Sequence, residues 1–99
     1  MKNKLYTVLA QFEAKSGKEQ ELEEILTSLI APTLKEEGCV NYDFHKCSDN
    51  PVQFMFYENW LNHETFKKHI NSPHIKQSQT KIDELLAKPY EVTFWEIFK

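Results

Sequence analysis

Apolar and polar residues alternate along four separate segments of the chain, which is the pattern of β-strands that place successive side chains on opposite faces. A turn composed of Ser48, Asp49, Asn50 and Pro51 separates the second and third segments. It predicts an antiparallel hairpin between them. The four predicted strands span residues 5–14, 40–47, 52–60 and 90–98.

Helical periodicity occupies the two stretches between these strands. In the first stretch, Ser16 and Glu19 have the spacing of a capping box, and Pro32 should bend or interrupt the helix that follows. In the second stretch, Asn62 should cap a short helix, and a Ser-Pro step at residues 72–73 should start another. The apolar stripe of the first helix consists of Leu22, Ile25, Leu26, Leu29 and Ile30.

The resulting order, β-α-β-β-α-β, predicts a single α+β domain over residues 1–99 with a ferredoxin-like sheet that is covered by helices on one face. The strands are nevertheless apolar on both faces, with Phe54 and Phe56 on one side and Met55 and Tyr57 on the other. An uncovered face of this kind would be a large apolar patch. We therefore expect a second copy of the chain to cover it in a two-fold homodimer.

Composition narrows the range of partners and compartments. The net charge of −3 argues against nucleic acid, because phosphate binding requires a basic face. No apolar run approaches the length of a membrane span, and the first residues lack the features of a signal peptide. Cys39 and Cys47 do not form a C-x-x-C motif and are expected to be reduced thiols. A cytoplasmic location is the expectation that follows.

Candidate chemistry is concentrated around the end of the third strand and the helix after it. Glu58 and Trp60 are two residues apart on a strand and share a face, and Phe66 and His69 share a face of the helix. If the helix packs on that face of the sheet, these four side chains surround one volume. The same residues could instead be ordinary core, since aromatic side chains dominate protein interiors.

Two histidines in this region have functional potential. His69 occupies a position that an apolar residue would normally fill, and an imidazole there could act as base or acid near pH 7, or be a hydrogen-bonded core residue. His74 falls at the second position of the helix started by Pro73, where the helix dipole disfavours the imidazolium ion. His45 could face either the pocket or the dimer interface.

Sequence spacing gives no indication of a cofactor. The histidines show no H-x-x-x-H pattern or His/Cys cluster, so no metal site is expected. Gly17 and Gly38 are the only glycines of the chain, so a glycine-rich phosphate loop is absent. The expectation is a site without metal, flavin or nucleotide.

An ordered set of short motifs resembles the antibiotic biosynthesis monooxygenase family, in particular its small quinol monooxygenase-like members. The resemblance covers nearly the whole chain. The motifs are Gly17-Lys18 with Leu22, Leu34-Lys35-Glu36-Glu37-Gly38-Cys39 with Tyr42, Asp49 with Pro51, Phe56-Tyr57-Glu58 with Trp60, and His69 with Ser72-Pro73-His74.

The resemblance implies a dimeric α+β barrel and an enzyme that oxygenates a quinol or phenolic aromatic with O₂ and no cofactor. It implies that Trp60 and Phe66 line the ring site, that His69 is the base, and that His74 and Glu58 orient or relay protons. The remaining candidate substrate contacts are Phe56, Tyr42 and His45.

Three readings stay open within this resemblance. Related oxygenases can use an Asn and a Tyr at the positions of Phe56 and Phe66, and their absence shifts the chemistry onto the imidazoles. Isomerase members that act on a phosphorylated autoinducer share Glu58, His69 and the Ser72-Pro73-His74 step, so proton transfer without O₂ is the first alternative. A non-catalytic dimeric binding module is the second. Haem-degrading relatives would need an axial histidine, for which His69 could serve, but no second feature favours haem.

Overall fold

The computed structural model describes residues 4–98, which build a four-stranded antiparallel sheet with all its helices on one side. The strands lie side by side in the order β2-β3-β1-β4. This order and the element sequence confirm the predicted ferredoxin-like α+β fold. The elements are β1 (Tyr6–Glu13), α1 (Glu19–Thr27), α2 (Ile30–Leu34), β2 (Cys39–Lys46), β3 (Gln53–Trp60), α3 (His63–Ile70), α4 (Pro73–Leu85) and β4 (Glu91–Trp95).

The first helical stretch is interrupted, as Pro32 predicts. Pro32 has no backbone N–H and cannot donate to the carbonyl of Ser28, four residues earlier. The helix therefore ends at Thr27 and resumes at Ile30 as the short α2. The break lets the chain turn towards β2 and carry the following loop over the edge of the sheet.

The predicted capping box at Ser16 is wrong. The Lys18 N–H donates to the Lys15 carbonyl at 2.9 Å, and Gly17 adopts a φ of 87°. This turn displaces the helix start to Glu19, with Lys18 as an N-cap that makes no side-chain bond. The Glu19 carboxylate accepts from the Gly17 N–H at 2.8 Å instead, so it stabilises the turn.

The second helical stretch starts and breaks where the sequence predicts. The Asn62 side chain accepts from the Thr65 N–H at 2.9 Å, and the Thr65 hydroxyl accepts in return from the Asn62 N–H at 3.3 Å, which is a complete capping box. Ser72 is the N-cap of α4 and Pro73 its first residue. The Ser72 hydroxyl donates to the carbonyl of His69 at 2.7 Å, which ties the end of α3 to the start of α4.

The two faces of the sheet differ in what covers them. Alternate residues of β3 point to the helices, and Phe54, Phe56, Glu58 and Trp60 are all buried there. No helix formed by residues 4–98 covers the opposite face of the sheet, and Tyr57 and other apolar side chains are exposed on it. Within residues 4–98, no helix has both the length and the apolarity to cross a bilayer.

Candidate active site between the sheet and the helices

A cavity of about 80 Å³ lies between the helix-covered face of the sheet and α3 and α4. Strand parity and helix phase bring five of the candidate residues to its wall. Three of its other lining residues, Ile70, Tyr90 and Val92, are exposed, so the cavity reaches the surface beside β4. The five candidates on the wall are Tyr42, Phe56, Glu58, Phe66 and His69.

Trp60 lies behind the wall and is not one of its lining residues. It is 0% exposed, and its ring packs against the His69 ring with 4.6 Å between centroids. Its indole N–H donates to Oε1 of Glu58 at 2.9 Å. Trp60 therefore contacts both Glu58 and His69 and fixes their positions, rather than offering its face to a ligand.

Glu58 is a carboxyl group that is only 3% exposed. Burial raises its pKa to about 7, the hydrogen bond from Trp60 opposes that rise, and the negative charge of Glu36 adds to it. A carboxyl group with this pKa can hold or release a proton near neutral pH.

His69 lies on the same wall and is 4% exposed. Burial lowers the pKa of its imidazole, and the hydrogen bond and charge of Glu36 act in the opposite direction. Its ring is therefore neutral at pH 7. Glu58 and His69 thus form an acid and base pair whose pKa values are both displaced by the same buried environment.

Nothing in the local sequence pattern singled out Glu36, although it lies in one of the family motifs quoted above. Its Oε2 lies 2.9 Å from Nδ1 of His69 and 2.7 Å from Nε2 of His74. Thr33 and Ser72 place their hydroxyl oxygens 3.2 and 3.3 Å from the same His74 nitrogen. The cluster joins the α2–β2 loop to α3 and α4, and its sequence separations of 33 and 38 residues explain why no spacing rule could find it.

The loop that carries Glu36 is held on both sides. The Glu36 N–H donates to the Thr33 carbonyl at 3.0 Å, and the Gly38 carbonyl accepts from the Leu61 N–H at 2.9 Å. Gly38 has a φ of 82° and touches the Thr65 side chain so closely that a Cβ would collide with it. Glycine at this position lets the loop pack directly against α3 and bring Glu36 to His69.

Sequence spacing gives no indication of a metal site, yet the fold brings three possible metal ligands together. Glu36, His69 and His74 place their ligand atoms within 4.8 Å of one another. Two imidazoles and a carboxylate are a donor set that divalent transition metals accept. In this arrangement, however, both ring nitrogens lie at hydrogen-bond distance from one carboxylate oxygen, so two N–H donors satisfy that oxygen.

The two remaining histidine candidates lie away from the cavity wall. His74 is the second residue of α4, as predicted, and is half-buried beside Glu36 without lining the cavity. His45 is exposed on the open face of the sheet, where its Nδ1 lies 3.1 Å from the Asp43 carbonyl. Of the two orientations that the sequence left open for His45, the structure places it on the side of the expected dimer interface.

A family model described as "Antibiotic biosynthesis monooxygenase" matches residues 5–81. The chain belongs to the antibiotic biosynthesis monooxygenase family. All the candidate site residues and Glu36 fall inside this match, whereas Tyr90 and Val92, at the mouth of the cavity, fall outside it.

Three similar proteins illustrate the range of relatives. The uncharacterized protein sll1783 of Synechocystis is 29% identical over 90 residues, which are 91% of this chain, and the match spans 61% of the length of that relative. "Putative monooxygenase Rv0793" of Mycobacterium tuberculosis is 29% identical over 87% of this chain and 84% of its own, and its solved structure gives a TM-score of 0.89 over 96% of both chains. The crystal structure of PA3566 from Pseudomonas aeruginosa gives a TM-score of 0.92 at 25% identity, over 97% of this chain and 96% of that one.

Proposed function

We propose that this chain is a cofactor-independent monooxygenase that oxidises a small quinol or phenol with O₂, and that His69 is its base. The observation that carries the proposal is the pair of Glu58 and His69 on one aromatic-walled cavity. A neutral imidazole can accept the proton of a phenolic hydroxyl group, and a carboxyl group with a pKa of about 7 can return a proton to a peroxide.

In the proposed reaction the substrate is the reductant. Removal of its hydroxyl proton by His69 leaves an electron-rich anion that passes one electron to O₂. The two radicals then combine to a peroxide, and loss of water leaves a carbonyl group, so one oxygen atom enters the product and the other leaves as water. The rings of Tyr42, Phe56 and Phe66 provide apolar contacts for a flat substrate and keep bulk water from the radical pair.

The size of the cavity sets a condition on this proposal. A volume of about 80 Å³ is well below the roughly 300–1,000 Å³ of sites that hold drug-sized ligands. The substrate is therefore small, or the mouth opens to admit it. At the mouth, the Tyr90 hydroxyl donates to Oε1 of Gln79 at 3.3 Å, and both residues line the cavity. The Tyr90 ring also stacks on Phe12 with 5.1 Å between centroids, so a wider entrance would require Tyr90 to leave both contacts.

We also propose that the working form is a homodimer that pairs the open faces of two sheets. Tyr57 and Trp95 are 42% and 56% exposed on that face, and their apolar surface needs a cover. A two-fold arrangement would bury the same patch on both chains.

Oxygen consumption tests the proposal. A panel of reduced naphthoquinols and substituted phenols should show protein-dependent O₂ uptake above autoxidation. His69→Ala should lower kcat by about 10²–10⁴-fold, the usual contribution of a general base. His63→Ala, which alters an exposed imidazole of α3 that does not line the cavity, is the matched control and should retain activity. Absence of protein-dependent uptake across the panel would contradict the proposal.

An isomerase that transfers protons without O₂ is the second candidate. Glu58 and His69, whose pKa values are both shifted, also favour this function. A base and an acid on one cavity suffice to move a proton between two atoms of a substrate. If the protein converts a carbonyl metabolite without O₂ and His69→Ala abolishes that turnover, the isomerase proposal would replace the monooxygenase proposal.

A further inference from the structure

We propose that Glu36 is a positioning residue that holds His69 as its Nδ1–H tautomer and leaves Nε2 as the basic nitrogen towards the cavity. The catalytic meaning of this arrangement rests on the proposed function, whereas the tautomer itself does not. Glu36 contacts His69 from outside the cavity and is not one of its lining residues.

The geometry around His69 identifies which nitrogen is free. Nδ1 lies 2.9 Å from Oε2 of Glu36, and a carboxylate can only accept, so Nδ1 carries the proton. Among residues 4–98, no fully buried side-chain nitrogen or oxygen lacks a hydrogen-bond partner. Nε2 of His69 has no partner within the described chain, so it is reached through the cavity that His69 lines. An unprotonated ring nitrogen open to the cavity is the form that accepts a proton.

The charge of Glu36 also matters after the proton has moved. Protonation of Nε2 would create an imidazolium ion in a buried site, which is costly unless a negative charge is in contact. The Glu36 side chain is only 14% exposed, so little solvent screens its carboxylate from the ring beside it. Glu36 therefore both selects the basic form of His69 and stabilises the acidic form that follows.

His74 has a supporting part in this arrangement. It lies 2.7 Å from the same Oε2 and is itself flanked by the hydroxyl groups of Thr33 and Ser72. As a second donor on one oxygen, it fixes the rotamer of Glu36 and spreads its charge over two imidazoles. This explains why His74 sits at the start of α4 although it does not reach the cavity.

The cluster favours this role over a metal site. Histidines that ligate a metal almost always donate their other ring N–H to a carboxylate, a carbonyl or water. Within the described residues, Nε2 of His69 and Nδ1 of His74 make no such bond to the chain, and the nitrogens nearest Glu36 already donate to it. The donors are thus arranged for proton sharing.

NMR of ¹⁵N-histidine-labelled protein tests the tautomer without any substrate. The wild-type chain should show His69 as the Nδ1–H form between pH 6 and 8. Glu36→Gln keeps an acceptor oxygen but removes the charge, so the pKa of His69 should fall further. Glu36, His74, Tyr42 and Glu58 are the titratable groups that face the ring, from the α2–β2 loop, α4, β2 and β3 respectively.

Glu37→Gln is the matched control. It removes the same charge one residue away, where the side chain is 75% exposed and, among the charged groups of the described residues, contacts Lys68 alone. It should leave the His69 titration unchanged. An Nε2–H tautomer in the wild-type protein, or a Glu36→Gln spectrum that titrates like wild type, would overturn the proposal. So would loss of the Nδ1–H signal on adding one equivalent of Zn²⁺, because the cluster would then be a metal site.

Kinetics provide the second readout once a substrate is found. Glu36→Gln should lower kcat about tenfold or more with little change in KM, and should move the acid limb of the kcat–pH profile to lower pH. A change in KM alone would show that Glu36 acts on substrate binding and would contradict a positioning role. The NMR result remains valid even if no substrate is oxygenated, so failure of this inference and failure of the proposed function can be told apart.

Discussion

The two tryptophans of the chain occupy opposite faces of the same sheet and differ in almost every respect. Trp60 pairs with Tyr6 of β1 and Trp95 pairs with its neighbour Thr7, so the two indoles point away from each other. Trp60 is fully buried and its indole N–H donates to Glu58, whereas Trp95 is 56% exposed and its indole N–H donates to Thr93 on its own strand. The helices of this chain cover one face of the sheet, and the described residues leave the other face open.

The polar groups of the two faces differ in kind as well. On the helix-covered face they are titratable and converge on a cavity. On the open face, hydrogen bonds run across three strands from the Thr7 hydroxyl through the amides of Asn59 and Asn41 to the carboxylate of Asp43. The two amides in this chain satisfy each other, and neutral amides cost less to desolvate than charged groups. In our proposal, the helix-covered face carries the chemistry and the open face binds a second chain.

The largest expected effect distinguishes the two tryptophans directly. Trp60→Ala should lower the free energy of unfolding by about 3–5 kcal/mol, because it removes a fully buried ring from the core. Urea denaturation followed by circular dichroism measures the loss, and it should be the same at every protein concentration.

Trp95→Ala is the matched substitution on the open face. Its effect on stability should depend on protein concentration, since it acts on association of two chains rather than on the core of one. Analytical ultracentrifugation should show weaker self-association of Trp95→Ala. Equal, concentration-independent losses in both variants would remove the distinction between the faces.

The next effect tests the electrostatics of the helix-covered face. The pKa of Glu58 is about 7 in the folded chain and near 4.5 in the unfolded one, so the folded state holds the proton more tightly. The stability linked to this group is full below pH 4.5 and is lost as the pH rises through 7. Glu58→Gln lacks this titration. Between pH 4 and pH 8, its free energy of unfolding should therefore rise relative to that of wild type by up to about 3 kcal/mol.

Urea unfolding at several pH values checks this gain. The titration of His69 contributes to the pH dependence of stability in both wild type and Glu58→Gln, so it cancels when one free energy of unfolding is subtracted from the other. Glu37→Gln, an exposed carboxylate, should follow wild type across the range. Parallel curves for wild type and Glu58→Gln would mean that Glu58 is not desolvated as the fold implies.

Local patterns predicted the framework of the fold because its causes are local. Alternation set the strands, the missing N–H of Pro32 set the break between α1 and α2, and Asn62 set the start of α3. The capping box predicted at Ser16 did not form, because Gly17 makes a turn that moves the start of α1 to Glu19. The choice between turn and cap depends on the path of the chain after β1, which the local sequence does not specify. The predicted strands were also too long at their ends: β4 stops at Trp95, whereas the alternation of the sequence continues to residue 98.

The candidate site was predictable only where one element carries the information. Parity along β3 and phase along α3 placed Glu58, Phe66 and His69 on one cavity. The partner of His69 was not predictable in this way, because Glu36 arrives from a loop whose path depends on Gly38 packing against α3. Trp60 fell behind the wall because its indole bonds back to Glu58, a contact that strand parity permits but does not specify.

The smallest expected change in stability comes from breaking the hydrogen-bond chain on the open face. The Thr7 hydroxyl donates to Oδ1 of Asn59, which is only 7% exposed, so Thr7→Val should leave a buried oxygen unsatisfied and cost about 1 kcal/mol. Thr27→Val, at an exposed helical threonine, is the control for the change of hydroxyl to methyl and should cost less. Urea denaturation of the three proteins at one concentration gives the values. If the face is covered by a second chain, the cost of Thr7→Val should rise with protein concentration, since water can reach Asn59 only in the free chain. A cost that stays at zero at all concentrations would mean that the amide simply rehydrates and that the open face remains wet.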